Sequence, residues 1–451
     1  MLSMRVLPSA LLLLLSLPIP EAWSADTPAL PAPSWAEVRK ARVTRLLPEA
    51  MKRAGVDAWV VVCRENANDP LAAHVGGENA GAPAAFLFLR EAEQLRSIAL
   101  SPEGEAKALR DVGLHDEVES LPRGTDLYAK VSERLARLKP RRIALNFSER
   151  MSVADGLSST QRALLTAALP PALRQRLVSS EELVVEWLGI KLPEEVEVMR
   201  RAAALTAQLE EEAYRQIIPG KTRDSDVARF LKRRMAELGV TDGWAPDQNP
   251  NVNSGPDRGH SHATDRVIQP GDFIQTDFGI AIQGRWVTDI QRFAYVLAPG
   301  ETKPPPEALE KWERSKKGNR VALAAIKPGA RGWDVDKAQR DWMRQVGSEP
   351  VMWGTGHPVG YWAHDVGPAL SGAQKGQPAK GASARIIRPG QVFAFDGFFA
   401  WKLPTPGETK TLSVEEMAVV TETGAEYLIP PQEELILIPS PNPRPDASPP
   451  R

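Results

Sequence analysis

The spacing of apolar positions along this chain changes character once, near residue 188. Before that point short apolar runs alternate with amphipathic stretches. Residues 58–62 form a continuous apolar run of strand length, and 85–89, 97–100 and 142–145 are further strand candidates. Residues 35 to about 51 and 126–138 carry apolar side chains at helical spacing. This alternation predicts an α/β domain over 35–187. From Pro193 the segment PEEVEVMRRAAALTAQLEEEAYRQI reads as one long helix, and acidic residues in its first turn suit the positive end of the helix dipole. A second helix is expected over 224–238, after the Pro219-Gly220 turn. Residues 272–296 and 391–438 alternate with strand period, and helices are expected at about 306–326 and 333–346. The segment 188–438 therefore reads as an α+β domain. No internal repeat is visible in the letters.

Length agrees with this division, since 451 residues exceed what one ordinary core organises. Charge narrows the partner: 56 Lys and Arg balance 57 Asp and Glu, so no global field favours nucleic acid or an anionic membrane. A small molecule or peptide is expected instead. In residues 1–24 one Arg precedes an apolar run from Val6 to about Pro18, and Ala22-Trp23-Ser24 follows before Ala25. That is the pattern of a secretory signal peptide. Its apolar core falls short of the ~20 residues a membrane span needs, and Pro8 and Pro18 interrupt it. Export to the periplasm or medium is expected, with no membrane attachment after cleavage. A Pro-rich spacer over 25–34 and a Pro-rich tail over 439–451 lack the composition to pack a core. Cys63 is the single cysteine, which excludes an intrachain disulfide and reads as a buried structural thiol.

Candidate chemistry lies in the second domain. In GDFIQTDFGIAIQGRWVTDIQRFAYV two strands flank a turn at Gln283-Gly284, and each carries one carboxylate, Asp277 and Asp289. A hairpin can bring the two together. Paired carboxylates in an apolar setting repel each other unless a cation lies between them. Downstream, GTGHPVGYWAHDVGP supplies His357 and His364, and VEEMAVVTETG supplies Glu415 and Glu416. An isolated Asp is ordinarily a turn or edge residue and an isolated His a packing residue. Their combination points to a metal.

The order of these motifs resembles the creatinase/aminopeptidase fold family, and within it aminopeptidase P and the prolidase-like Xaa-Pro peptidases. The family signature of Asp, Asp, His, Glu and Glu falls on Asp277 in TDFG, Asp289 in TDIQR, His357 in GTGHPVG, Asp396 in PGQVFAFDGF and Glu415 in SVEEM. His260, in GPDRGHSHATDRV, stands where the family places a substrate-contacting histidine, with His262 as the less favoured choice. The resemblance implies an α/β N-terminal creatinase-type domain followed by an α+β pita-bread catalytic domain. It implies two divalent metal ions, with Mn, Co and Zn all compatible with such ligands. Asp289 and Glu415 would bridge them, Asp277 would complete one site, and His357 and Asp396 the other. A bridging water acidified toward hydroxide would attack the peptide carbonyl, with His260, His364 and Asp396 as catalytic residues. The implied substrate is a peptide with proline at the second position, and the implied assembly is a homodimer.

Three departures from the family pattern bear on this reading. Asp396 replaces the usual Glu, which shortens the reach by ~1.5 Å. A weakened enzyme or a peptide-binding relative without turnover would follow unless the backbone moves inward and restores the geometry, and a bland turn before Gly397 is the alternative. Asp277 and Asp289 stand twelve positions apart, one more than the family spacing, which calls for a β-bulge or a longer turn. Ser413 replaces an Arg that aminopeptidase P-like members often carry. Trp353, Trp362 and Trp401 are candidates for a proline-accepting wall, with core packing as the alternative. Glu416 is expected on the opposite strand face, supporting the site or facing solvent, and Glu210-Glu211-Glu212 reads as a solvated helix face.

Overall fold

The structure is a computed structural model that describes residues 30–91, 94–258, 263–376 and 378–441. The expected leader, His260, His262 and nearly all of the Pro-rich tail lie outside the described residues. Among the described residues no helix is long and apolar enough to cross a membrane.

The N-terminal domain is built on strands β1 (Ala58–Cys63), β2 (Ala84–Glu91), β3 (Gln94–Pro102), β4 (Glu117–Leu121), β5 (Ile143–Leu145) and β6 (Leu177–Ser179), in the order β4-β3-β2-β1-β5-β6. The unbroken apolar run of β1 follows from its central place. Trp59, Val61 and Cys63 enter the core on one face, and Ala58, Val60 and Val62 the core on the other. Helices α1 (Trp35–Ala41), α2 (Leu47–Ala54), α3 (Ala72–Val75), α4 (Glu103–Val112), α5 (Leu127–Leu138), α6 (Ser159–Ala168), α7 (Pro171–Arg174) and α8 (Glu181–Leu188) cover the sheet. The chain enters α1 through a capping box between Ser34 and Glu37. The single helix expected from residue 35 is broken by a π-helical turn, Arg42–Leu46, and α2 then ends on Gly55 at φ 65°.

In the second domain α9 (Pro193–Tyr214) and α10 (Asp224–Leu238) precede β7 (Thr241–Asp242), β8 (Asn251–Ser254), β9 (Phe273–Phe278), β10 (Ile280–Ile282), β11 (Trp286–Val287) and β12 (Ile290–Val296). Then α11 (Pro306–Ala325) and α12 (Gly332–Gln345) precede β13 (Gly356–Pro358), β14 (Val392–Lys402), β15 (Thr409–Val420), β16 (Ala425–Tyr427) and β17 (Ile436–Ile438). Two four-stranded sheets, β17-β12-β9-β8 and β13-β14-β15-β16, meet where β12 packs on β15. A small sheet β11-β10-β7 extends the first.

The halves repeat each other in backbone, although no repeat is visible in the letters. In each, a long helix ends near a Pro-Gly turn whose glycine is left-handed, Gly220 at φ 76° and Gly329 at φ 85°. An arginine then forms an isolated β-bridge, Arg223 to Val267 and Arg331 to Ile386, and caps the next helix through an aspartate, Asp226 and Asp334. The shared letters are only a Pro-Gly, an Arg and an Asp-Val, spread over nine positions in one half and eight in the other. Such a signal is carried by backbone geometry more than by residue identity. This pseudo-twofold α+β arrangement behind a creatinase-type α/β domain is the pita-bread architecture.

Candidate metal centre

Asp277 and Asp289 come together through hairpin register. Asp277 lies opposite Gln291 in the β9–β12 ladder, and Asp289 precedes Gln291 by two residues, on the same face. The ladder is interrupted at Gly279, beyond the Phe278–Ile290 pair, yet one register holds on both sides of the gap: Phe278 faces Ile290, and Ala281 faces Val287. No bulge is therefore needed. The additional residue is absorbed by the longer turn, where Gln283 and Gly284 adopt φ of 52° and 63° and the Arg285 N–H donates to the Ile282 carbonyl. Gly279 marks the interruption, since a Cβ there would lie 2.1 Å from the Thr288 carbonyl oxygen and 2.4 Å from the Trp244 ring.

The other half supplies the remaining groups. Asp396 sits in mid-strand on β14 directly opposite Glu415 on β15, which disposes of the turn reading. His357 lies on β13, opposite Ala394. Its Nδ1 is 3.2 Å from the Pro358 carbonyl, an acceptor, so Nδ1 carries the proton and the lone pair of Nε2 points to the carboxylates. Nε2 is 3.6 Å from Asp289 Oδ2 and 4.0 Å from Glu415 Oε1. Among the described residues, Asp289, His357 and Glu415 offer ligand atoms all within 4.8 Å of one another. His364 packs edge-on against His357, ring centroids 4.2 Å apart, and is exposed at the mouth of the site.

This donor set fits a cation. Burial raises the Asp289 carboxyl well above its ordinary range, and repulsion from Asp277 and Asp396 adds to it. Glu415 is raised by burial, then by Asp289, Asp396 and Asp277, and only a hydrogen bond from Gln291 opposes this. Asp396 is raised by burial and by Asp277, with Arg340 opposing. Such a cluster holds protons unless a cation replaces them. Behind it, Asp336 fixes the strand carrying Asp396: it accepts from Thr355 Oγ1 at 2.7 Å and pairs with Arg340 at 3.1 Å, while the Asp396 N–H donates to the Thr355 carbonyl at 2.7 Å.

The site opens into a cavity of about 460 Å³ lined by Asp277, Asp289, His357, His364, Asp396 and Glu415. Of the three tryptophans considered, only Trp353 lines it. Trp362 packs on Tyr361, and Trp401 on Phe273 and Phe399. Trp244 and Gln291 line it unforeseen. Gln291 follows from strand period as the same-face neighbour of Asp289, whereas Trp244 sits in an irregular segment without a pattern. Ser413 donates to Gln291 at 2.7 Å. Glu416 does not face solvent: it is buried and paired with Arg292 at 3.0 Å. Glu210 is likewise fully buried and not part of a solvated face, and burial pushes its carboxyl well up, with Arg292 opposing.

A pita-bread fold with a buried Asp/His/Glu cluster at the junction of its halves defines a metallohydrolase class. The chain belongs to metallopeptidase family M24, which residues 197–422 match. It is 25% identical to a probable dipeptidase, PepE, of Mycobacterium tuberculosis over 290 residues, which cover 64% of this chain and 71% of the relative. Two solved structures share the fold across both domains. One is a dipeptidase PepE from Mycobacterium ulcerans (TM-score 0.63, 21% identity, 90% of this chain and 99% of that one). The other is an Xaa-Pro dipeptidase from Bacillus anthracis (TM-score 0.62, 20% identity, 89% and 100%).

Proposed function

We propose that the protein is an exported peptidase that hydrolyses the bond preceding proline, as an Xaa-Pro dipeptidase or aminopeptidase, with two divalent cations from among Mn, Co and Zn. The observation that carries this reading is the cluster of Asp289, His357 and Glu415 within 4.8 Å, in the wall of a cavity of peptide-binding size. The names of the PepE and Xaa-Pro dipeptidase relatives support the substrate class, and the leader pattern in residues 1–24 supports export. Asp277, Asp289, His357, Asp396 and Glu415 would hold the cations. When bound, these supply Lewis acidity toward a carbonyl and toward a water molecule.

The chain's own residues then have separable tasks. His364, at the mouth, presents a ring N–H to the substrate carbonyl as charge develops on its oxygen. Asp396 takes and returns the proton that must travel from water to the leaving amine nitrogen. The Trp353 and Trp244 rings exclude water and offer flat apolar faces to a pyrrolidine ring. His260 is proposed as a further substrate contact. Asp396, with its shorter reach, favours a second reading, a relative that binds peptide with little or no turnover.

Assay of the mature protein loaded with Mn, Co or Zn on Xaa-Pro dipeptides and longer Xaa-Pro peptides decides between them. Turnover that is lost in Asp289→Ala supports the peptidase. Absence of turnover with every metal and length, unchanged in Asp396→Glu, supports the binding protein. A gain of tenfold or more in Asp396→Glu identifies an enzyme weakened at that one position.

A further inference from the structure

A second cluster of buried charge lies beneath the loop that joins His357 to His364, and the N-terminal domain supplies its centre. Arg42, in the π-helical turn, is fully buried. Its guanidinium donates to Glu195 Oε2 at 2.6 Å, to the Ile190 carbonyl at 2.9 Å and to the Trp187 carbonyl at 2.5 Å. Glu195, also fully buried, accepts through Oε1 from the Tyr361 hydroxyl and from Trp286 Nε1 at 3.3 Å. Tyr361 is thus tied to Arg42 through one carboxylate. Its ring is held as well, with the Arg42 guanidinium 5.3 Å and the Lys191 ammonium 5.4 Å from its centroid and the His74 ring edge-on at 4.7 Å.

The same loop is tied a second time, four residues on. Lys191 Nζ pairs with Asp365 Oδ2 at 3.1 Å, both side chains being buried. Asp365 also accepts from the backbone N–H groups of Tyr361 at 3.0 Å and Val366 at 2.7 Å. A Cβ on Gly360 would meet Lys191 Cε at 2.1 Å, so the loop lies directly against this pair. His364 falls between the two tethers. His357 is held by strand pairing in β13, whereas His364 lies outside any strand.

A buried ion pair contributes little net stability compared with apolar residues of the same shape, so two such pairs under one loop point to a demand for geometry. We propose that the Arg42–Glu195–Tyr361 chain and the Lys191–Asp365 pair act as a clamp that sets the position of His364, with Arg42 as the point through which the N-terminal domain takes part. Tyr361 and Arg42 are then positioning residues, and their effect on turnover rests on the substrate contact assigned to His364 under the proposed function.

The test uses the full metal-loaded chain. Tyr361→Phe removes one hydroxyl and is expected to keep metal content and KM while kcat falls about tenfold or more, as a small misplacement of a catalytic contact does. The double variant Tyr361→Phe/His364→Ala is expected to be no slower than His364→Ala alone, because one effect acts through the other. Multiplied losses in the double variant, or an unchanged kcat in Tyr361→Phe, overturn the clamp. If Tyr361→Phe fails to fold, Arg42→Met/Glu195→Met replaces the pair by apolar groups. A merely structural role predicts normal kcat in that variant, and the clamp predicts the same loss. A readout independent of turnover is the ring ¹⁵N spectrum of histidine-labelled protein. The His364 signals, identified by their absence in His364→Ala, should move in Tyr361→Phe while those of His357 stay. Absence of cleavage by the wild type sinks the peptidase reading alone, and unmoved His364 signals sink the clamp.

Discussion

Four carboxyl groups, Asp277, Asp289, Asp396 and Glu415, face one cavity, and their burial, reinforced by mutual repulsion, sets the local electrostatics. In the metal-free protein Asp289, Asp396 and Glu415 hold protons that the unfolded chain would release. Their folded values lie above the unfolded ones, so the stability of the metal-free protein falls as pH rises from the ordinary carboxylate range of ~4. Asp289→Asn replaces a carboxyl that the metal-free fold must protonate by a neutral group of the same shape. It should raise the Tm of metal-free protein at neutral pH by about 1–3 °C and abolish the rise in Tm that Mn or Zn causes in the wild type. Calorimetry with and without metal reads both. A lower metal-free Tm in the variant would refute the repulsion argument. At this scale the candidates were visible as residue types in motifs, because ligand chemistry restricts the choice to a few side chains. Trp244 was not, because its place follows from the absence of a side chain on Gly279, thirty-five positions away.

Among elements, the contact between α11 and β14 has little tolerance. A Cβ on Gly397 would lie 2.1 Å from the Asn319 amide nitrogen and 2.3 Å from the Ser315 carbonyl oxygen, both backbone atoms of α11. Asn319 in turn donates from Nδ2 to the carbonyls of Phe395 and Val414, each at 2.9 Å, and so holds β14 and β15 beside each other. Gly397→Ala must push the helix off the sheet and is expected to cost about 3 kcal/mol, the upper end for overpacking. Urea denaturation measures this. Because Asp396 is the neighbouring residue, turnover should fall with stability, and a variant of wild-type stability would show that the helix yields freely. The strands and helices themselves were legible from period and punctuation. The π-helical turn at Arg42 and the repeat of the two halves were not, since both are properties of backbone geometry that many side chains satisfy.

Across the whole molecule, the interface between the domains is a buried polar and aromatic layer. His74 from α3 lies in it, 6% exposed, against Trp35, Trp187 and Tyr361. Burial and then the neighbouring Arg42 hold its imidazole well below the ordinary value. It is neutral in the fold and protonated in the unfolded chain at mildly acidic pH, so stability is lost as pH falls below ~6.5. In the metal-loaded wild type the Tm should therefore drop between pH 7 and pH 5, and His74→Gln should flatten that drop. An equal slope in the variant would locate the acid sensitivity elsewhere. Arg42, Glu195, Lys191 and Asp365 belong to the same layer, so acid loosening of the interface and loss of the His364 position should coincide.

What the sequence determined by itself is the kind of chemistry and the order of elements. Ligand-type residues in motif order, strand and helix periods, and the change of texture near residue 188 are all local properties, readable within a window of about twenty positions. What only the tertiary structure decided is relation: that Asp277 and Asp289 share a face through an unbroken register, that Asp396 stands opposite Glu415, that Glu210 and Glu416 are buried, and that the N-terminal domain reaches the loop of His364. Those outcomes depend on which surfaces exclude water from each other, and that is settled by packing among segments from a dozen to some three hundred residues apart.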